Sequence, residues 1–179
     1  MTKIEEKYRR IFSIRLNSLY REKNWEKARD LLENEIKQFP AEYFLHTELA
    51  LVYLNLTLFE QAYNSALIAV SIEPNDPLVI YNYARTLYSI DKYNEALDEW
   101  SKIVNQGLNG ILKSEHNESV KWAKSIVNDS RFGMALCYNN IGNIENSRNL
   151  INDHLKYRQR GLYSDFTKKQ IIKKLNEIS

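Results

Sequence analysis

One cysteine, three prolines and five glycines are all that 179 residues hold of the types that staple, break or loosen a chain. The lone Cys137 excludes an internal disulfide framework. Its neighbours in Ala135-Leu136-Cys137-Tyr138 suit a thiol that packs as a small hydrophobe. No apolar run approaches the ~20 residues needed to span a bilayer. Met1 to Arg10 carries Glu5 and Glu6 and lacks the apolar block of a secretory signal, so a cytoplasmic protein is expected. Neither sign of charge dominates: 25 Lys and Arg stand against 23 Asp and Glu, a net +2. That excludes a global field of the kind a dedicated nucleic-acid or membrane-surface binder carries, and any basic patch must be local.

With so few breakers, and with periodic apolar residues in the gaps between them, the chain is expected to be almost entirely helical. Its 44% hydrophobic content suffices for a substantial core, and one domain over 1–179 is the default.

What the sequence does have is a short pattern repeated at a fixed interval: an aromatic, two residues, an alanine. Trp25-Glu26-Lys27-Ala28, Phe59-Glu60-Gln61-Ala62 and Tyr93-Asn94-Glu95-Ala96 follow one another at 34 residues, as do Pro40 and Pro74. A period of this length marks a helical repeat array, whose units bury their apolar faces against their neighbours. In the second unit Tyr43, Leu45, Leu49, Ala50, Val52, Tyr53 and Leu56 fall at helical spacing, and Phe59, Ala62, Ala66, Leu67, Ala69 and Val70 do so again. These predict two antiparallel helices joined by a turn at 55–58. In the third, Asp76 is placed to cap a helix start with Pro77 in its first turn. Ala50 and Ala84, each 12 residues before Ala62 and Ala96, supply the small facing residue that a close helix crossing needs; Leu16 departs from this in the first unit.

The period breaks after Trp100. Gly107, Gly110 and the polar Ser114-Glu115-His116-Asn117 make 105–118 read as a loop or insertion, and the pattern returns at Met134-Ala135, Tyr138, Gly142, Ile144 and Ser147. Val120, Ala123, Val127, Met134 and Tyr138 fit one long helix, with Asp129-Ser130 as a point where it could break. Near the C-terminus Thr167 and Gln170 can form a capping box, and Ile171, Leu175 and Ile178 share a face on a helix suited to closing the array.

These residues resemble the tetratricopeptide repeat family over about 9–107, and more loosely over 128–160. The resemblance implies an all-α, right-handed solenoid of antiparallel helix pairs. Its regular units would be 9–40, 41–74 and 75–107, followed by an insertion at 105–127, a divergent unit at 128–160 and a capping helix at 164–179. It also implies recognition of a peptide or protein segment in a concave groove lined by the first helix of each pair. The groove positions are then Asn17, Tyr20 and Arg21 in the first unit, and Phe44, Thr47, Glu48, Leu51 and Asn55 in the second. Tyr81, Asn82, Arg85 and Tyr88 follow in the third, and Phe132, Leu136 and Asn139 in the fourth. One variety of the family clamps acidic chaperone C-termini with lysines, an arginine and asparagines. The corresponding places here are Ser13, Asn17, Glu48, Leu78 and Asn82, and Glu48 would repel a carboxylate, so that role is rejected.

Catalysis and metal binding find no constellation. His46 falls where it packs between helices, His116 lies in the polar insertion and His154 near a helix end. No zinc-protease, serine-hydrolase or phosphate-loop motif is present, and no cofactor is expected. Residues 152–179 carry seven cations (Lys156, Arg158, Arg160, Lys168, Lys169, Lys173, Lys174) against Asp153, Asp165 and Glu177, a local +4. This reads either as the solvated face of a capping helix or as a grip on an acidic partner or nucleic acid. The expectation is a non-catalytic scaffold for a protein or peptide partner, in an adaptor, chaperone-like or toxin-immunity role. A nucleic-acid-binding or regulatory protein using the basic C-terminal segment is the alternative. The isoleucine-, asparagine- and lysine-rich composition suggests a bacterial source.

Overall fold

The computed structural model describes residues 6–114 and 119–178, which leaves His116 outside it. The chain divides into two compact units, Met1–Asn75 and Asp76–Ser179. In the first, α1 (Glu6–Arg21), α2 (Trp25–Gln38), α3 (Tyr43–Asn55) and α4 (Phe59–Ile72) pack each on the next. In the second, α5 (Pro77–Ser89), α6 (Tyr93–Lys113), α7 (Val120–Asn140), α8 (Ile144–Tyr157) and α9 (Lys168–Glu177) do the same, and α5 also touches α7.

The 34-residue period is written into the backbone as well as the side chains. The helices opened by Trp25, Phe59 and Tyr93 start 34 residues apart, and the helices that precede them end at Arg21, Asn55 and Ser89 at the same interval. Each of those first helices stops in the same way. Lys23, Thr57 and Asp91 take φ of 55°, 59° and 60°, and Gly142 repeats the turn after α7 at 83°. One residue later an N–H returns to a carbonyl five positions back, at 2.9, 2.9, 3.0 and 2.8 Å for Asn24, Leu58, Lys92 and Asn143. This left-handed closure satisfies carbonyls that a helix end leaves open.

Small residues hold the crossings. Ala28, Ala50, Ala62, Ala84 and Ala96 are fully buried, while Leu16 joins Phe12, Leu32, Leu45 and Val52 in the first unit's core. In the divergent pair Ser147 takes the alanine's place, and its buried hydroxyl donates to the Ala135 carbonyl at 2.8 Å, so α8 is fastened to α7 as well as fitted to it. Asp76 caps α5 through the Leu78 N–H at 2.8 Å, with Pro77 in the first turn.

Of the 105–118 stretch expected as a loop, 105–113 are helix and 115–118 lie outside the described residues. Helix continues to Lys113, interrupted only where Gly107 (φ 63°, ψ 179°) kinks α6 at the position equivalent to the C-caps Phe39 and Glu73. Ile111 beyond the kink is fully buried, which supplies the reason that the segment is helical. Nor does Asp129-Ser130 break α7. The Ser130 hydroxyl donates back to the Ile126 carbonyl at 2.7 Å, and Asp129 finds its partners outside the helix. The C-terminal helix begins at Lys168 behind a capping box made by Thr167 and Gln170, four residues later than the expected 164. Ile171, Leu175 and Ile178 pack with Phe132, Ala135 and Ile151 in the second unit's core.

Candidate protein-binding surfaces

In the first unit, α1 and α3 carry eight of the groove positions read from the sequence. Asn17 and Arg21 are exposed on α1. Tyr20 is half-buried on Trp25, ring centroids 5.3 Å apart, and its hydroxyl donates to Glu48 Oε2 at 2.7 Å. Burial first, then the Glu48 charge, pushes the Tyr20 hydroxyl far above its usual pKa, so it stays a donor. Glu48 is thereby committed to a neighbour. Asn55 is exposed, with its amide donating to the Leu51 carbonyl at 2.8 Å, and Leu51 is half-buried. Phe44 and Thr47 serve the core instead. Phe44 lies between the Phe12 ring, 6.3 Å away, and the Arg9 guanidinium, 4.3 Å above it, and the Thr47 hydroxyl donates to the Tyr43 carbonyl at 3.0 Å.

In the second unit Tyr81, Arg85, Tyr88 and Phe132 are already engaged by the protein's own chain. Tyr81, 5% exposed, donates its hydroxyl to Asp165 Oδ2 at 2.9 Å, and Arg85 Nη1 reaches the same oxygen at 3.3 Å. Burial, then the Asp165 charge, holds the Tyr81 hydroxyl well above its ordinary pKa. Asn82 is buried beside them. Tyr88 leans on Trp100 and Tyr93 at 6.1 and 5.4 Å and accepts a hydrogen bond from the Asn140 amide at 3.1 Å. Phe132 is enclosed by Phe166 at 4.7 Å and His154 at 5.5 Å. Leu136 packs on the core around Phe132, and Asn139 is half-buried.

The residue that organises this surface is Asp129, whose place in the sequence offers a point where the long helix could break. Asp129 is 4% exposed. Its Oδ1 accepts the Ser164 hydroxyl at 2.6 Å and its Oδ2 accepts the Asp165 backbone N–H at 2.8 Å. Burial raises its carboxyl pKa to about 6 against the opposing pull of those two hydrogen bonds. The signal in the sequence was an acid set in an apolar helical stretch, Ile126-Val127 before it and Phe132 after it, where an unpartnered carboxylate would be costly. Its partner could not be read, because Ser164 and Asp165 lie 35 and 36 residues away.

The same corner absorbs part of the basic segment. Arg158 donates toward Ser164 Oγ and His154 Nε2, both at 3.3 Å. His154 Nδ1 donates to the Asn128 carbonyl at 2.8 Å, while the Asn128 amide donates to the His154 carbonyl at 3.1 Å, tying α7 to α8. Burial holds the His154 pKa below its usual value, with the Arg158 and Arg131 charges adding to it. Lys173 and Lys174 stand 3.8 and 3.4 Å from Glu177, and Lys168 and Lys169 are exposed.

His46 is buried, its Nε2 donating to the Pro40 carbonyl at 2.8 Å. Cys137 is fully buried, and burial pushes its thiol up to about 12. Among the described residues, no group of three His, Cys, Asp or Glu side chains is placed to hold a metal ion, and no helix is long and apolar enough to cross a membrane.

These helix pairs have the tetratricopeptide-repeat-like fold, all-α and of the solenoid class. A chain of MamA from residue 41 to its end, from Desulfovibrio magneticus RS-1, is similar over 94% of this chain and 82% of that one, at 12% identity and a TM-score of 0.68. A MamA double mutant gives 13%, the same shares and 0.66. PilW, a widely conserved type IV pilus biogenesis factor, gives 16% identity and 0.66 over 82% of this chain and 60% of that one. At such identities the likeness is one of fold. No family model and no curated protein matches the sequence.

Proposed function

We propose that this protein is a non-catalytic scaffold that binds a peptide or protein segment on the first-helix faces of its pairs, as an adaptor, a chaperone-like holder or a toxin-immunity protein. The supporting observation is the use to which α5 and α7 are put within the second unit. They hold an irregular stretch of polypeptide by a backbone N–H, a serine hydroxyl and a carboxylate. These are groups that a partner peptide also offers, and the donors and acceptors that meet them are Tyr81 and Arg85 on α5 and Asp129 on α7. In the first unit, Asn17, Arg21 and Asn55 are exposed beside the Tyr20–Glu48 pair, a mixture of directed polar groups and aromatic surface that suits recognition.

The test is affinity capture from the source organism with the full chain as bait, compared with an Arg21→Glu, Asn55→Ala double variant. The expected outcome is at least tenfold less of one retained protein at unchanged helicity. Equal capture by both baits removes the first-unit face from the proposal.

A further inference from the structure

Connections inside the helix pairs are three residues long, at 22–24, 56–58, 90–92 and 141–143, whereas α8 and α9 are joined by ten, 158–167. The extra chain goes to the first-helix faces. Asp165 is read twice there. Asp129 takes its backbone N–H, and Tyr81 with Arg85 takes its carboxylate. Ser164 adds a hydroxyl to Asp129, and Phe166 sets its ring edge against Phe132.

We propose that 158–166 is an occupant in cis of the second unit's recognition surface, standing where a partner segment of the form Ser or Thr, Asp, aromatic binds. This deepens the scaffold reading and rests on it. The geometry is selective for one acidic residue, because hydroxyl and guanidinium converge on one oxygen while a second acid, Asp129, bars a carboxylate from the neighbouring place and demands donors instead. The contact is also exchangeable. The Arg85 and Asp165 side chains are 28% and 21% exposed, so water screens the pair, and Tyr163 beside them is 76% exposed. A tether of a few residues gives the occupant an effective concentration in the millimolar range, which a free segment must overcome.

The experiment uses the full chain and a fluorescein-labelled peptide of its own sequence Leu-Tyr-Ser-Asp-Phe-Thr (162–167), read by anisotropy, with amide exchange to follow 158–166. In Asp165→Asn, exchange in 158–166 rises at least tenfold and the peptide binds at least tenfold tighter than to wild type. Arg85→Ala in that background abolishes the gain, as does Asn for Asp in the peptide. The proposal is overturned if the segment opens and the peptide binds no better, or if exchange in 158–166 is unchanged. Should Asp165→Asn lose helicity, a chain with 162–165 replaced by Gly-Ser-Gly-Ser is held to the same two readings. A peptide gain with unchanged capture by the Arg21→Glu, Asn55→Ala bait removes the first-unit face and leaves this inference standing. Lost capture with no peptide gain does the reverse.

Discussion

Tyr81 and Asp165 are 84 residues apart in the chain and 2.9 Å apart in space, a phenol hydroxyl on a carboxylate oxygen that Arg85 also approaches. The bond joins the first helix of the second unit to the segment before its last helix. It turns two positions that the tetratricopeptide resemblance implies for a binding groove into partners of the protein's own chain.

Removing that hydroxyl separates local from global effects. Tyr81→Phe keeps the buried ring and withdraws one hydrogen bond to a charged acceptor, a change worth about 1.5–3 kcal/mol. The loss is concentrated in 158–166, so trypsin cuts after Arg158 and Arg160 roughly ten- to a hundredfold faster than in wild type, while the thermal transition of the helices moves by only a few degrees. An unchanged cleavage rate would show that the hydroxyl does not hold the segment.

Asp129 makes stability depend on pH in a defined window. Its folded pKa, about 6, lies above the ordinary 3.8, so the folded chain binds more protons than the unfolded one between those values. The contribution is fully present below about 3.8 and is lost as pH rises through about 6, to an extent of up to about 3 kcal/mol. His154, with its pKa lowered, acts in the opposite direction, adding stability as pH rises toward 6.5. Urea unfolding of Asp129→Asn against wild type at pH 4 and pH 7 isolates the first effect. The difference between the two chains changes by a few kcal/mol across that interval, and a constant difference would remove the assignment.

Gly133 is required by a close approach. A Cβ built there meets the Trp100 ring at 2.5 Å, and Trp100 is 2% exposed with no room to withdraw. Gly133→Ala therefore destabilises the second unit by about 1–3 kcal/mol, even though alanine favours helix by about 1 kcal/mol over glycine. Chemical denaturation measures this directly, and a stabilised variant would contradict the packing.

Thr57 holds a β-branched side chain at φ 59° in a turn where Gly142 serves the divergent pair. Left-handed backbone costs such a residue about 1–2 kcal/mol, and glycine's extra freedom in the unfolded chain returns part of that. Thr57→Gly is expected to stabilise the protein by about 0.5–1 kcal/mol, seen as a raised Tm.

Cys137 is expected to be inert, since its thiol is fully buried and that burial pushes its pKa up to about 12. Labelling by a maleimide should follow global unfolding, with rates in native buffer and in urea tracking the unfolded fraction. Fast labelling of the native chain would place the thiol elsewhere.

Much of the fold was legible because its determinants are local. The alanines at 28, 62 and 96 and their aromatic predecessors mark the second helix of each pair by sequence spacing alone, and Asp76-Pro77 and Thr167-Gln170 mark two helix starts. The candidate surfaces were legible only by position. The resemblance implies groove positions at Phe44, Thr47, Tyr81 and Phe132 alike, and the structure buries all four. In the sequence Asp165 counts merely as one charge in a basic tail.

The sequence by itself determined the helix pairs, their 34-residue spacing and the turns that close them, because capping, small-residue crossings and helical periodicity act over a few residues of chain. Only the tertiary structure decided that Gly107 kinks a continuing helix rather than opening a loop, that Asp129 is a buried acceptor rather than a break, and that 158–166 lies on α5 and α7. Those outcomes depend on contacts between residues tens of positions apart, where loop closure costs little more for each added residue and no local pattern records which partner is met.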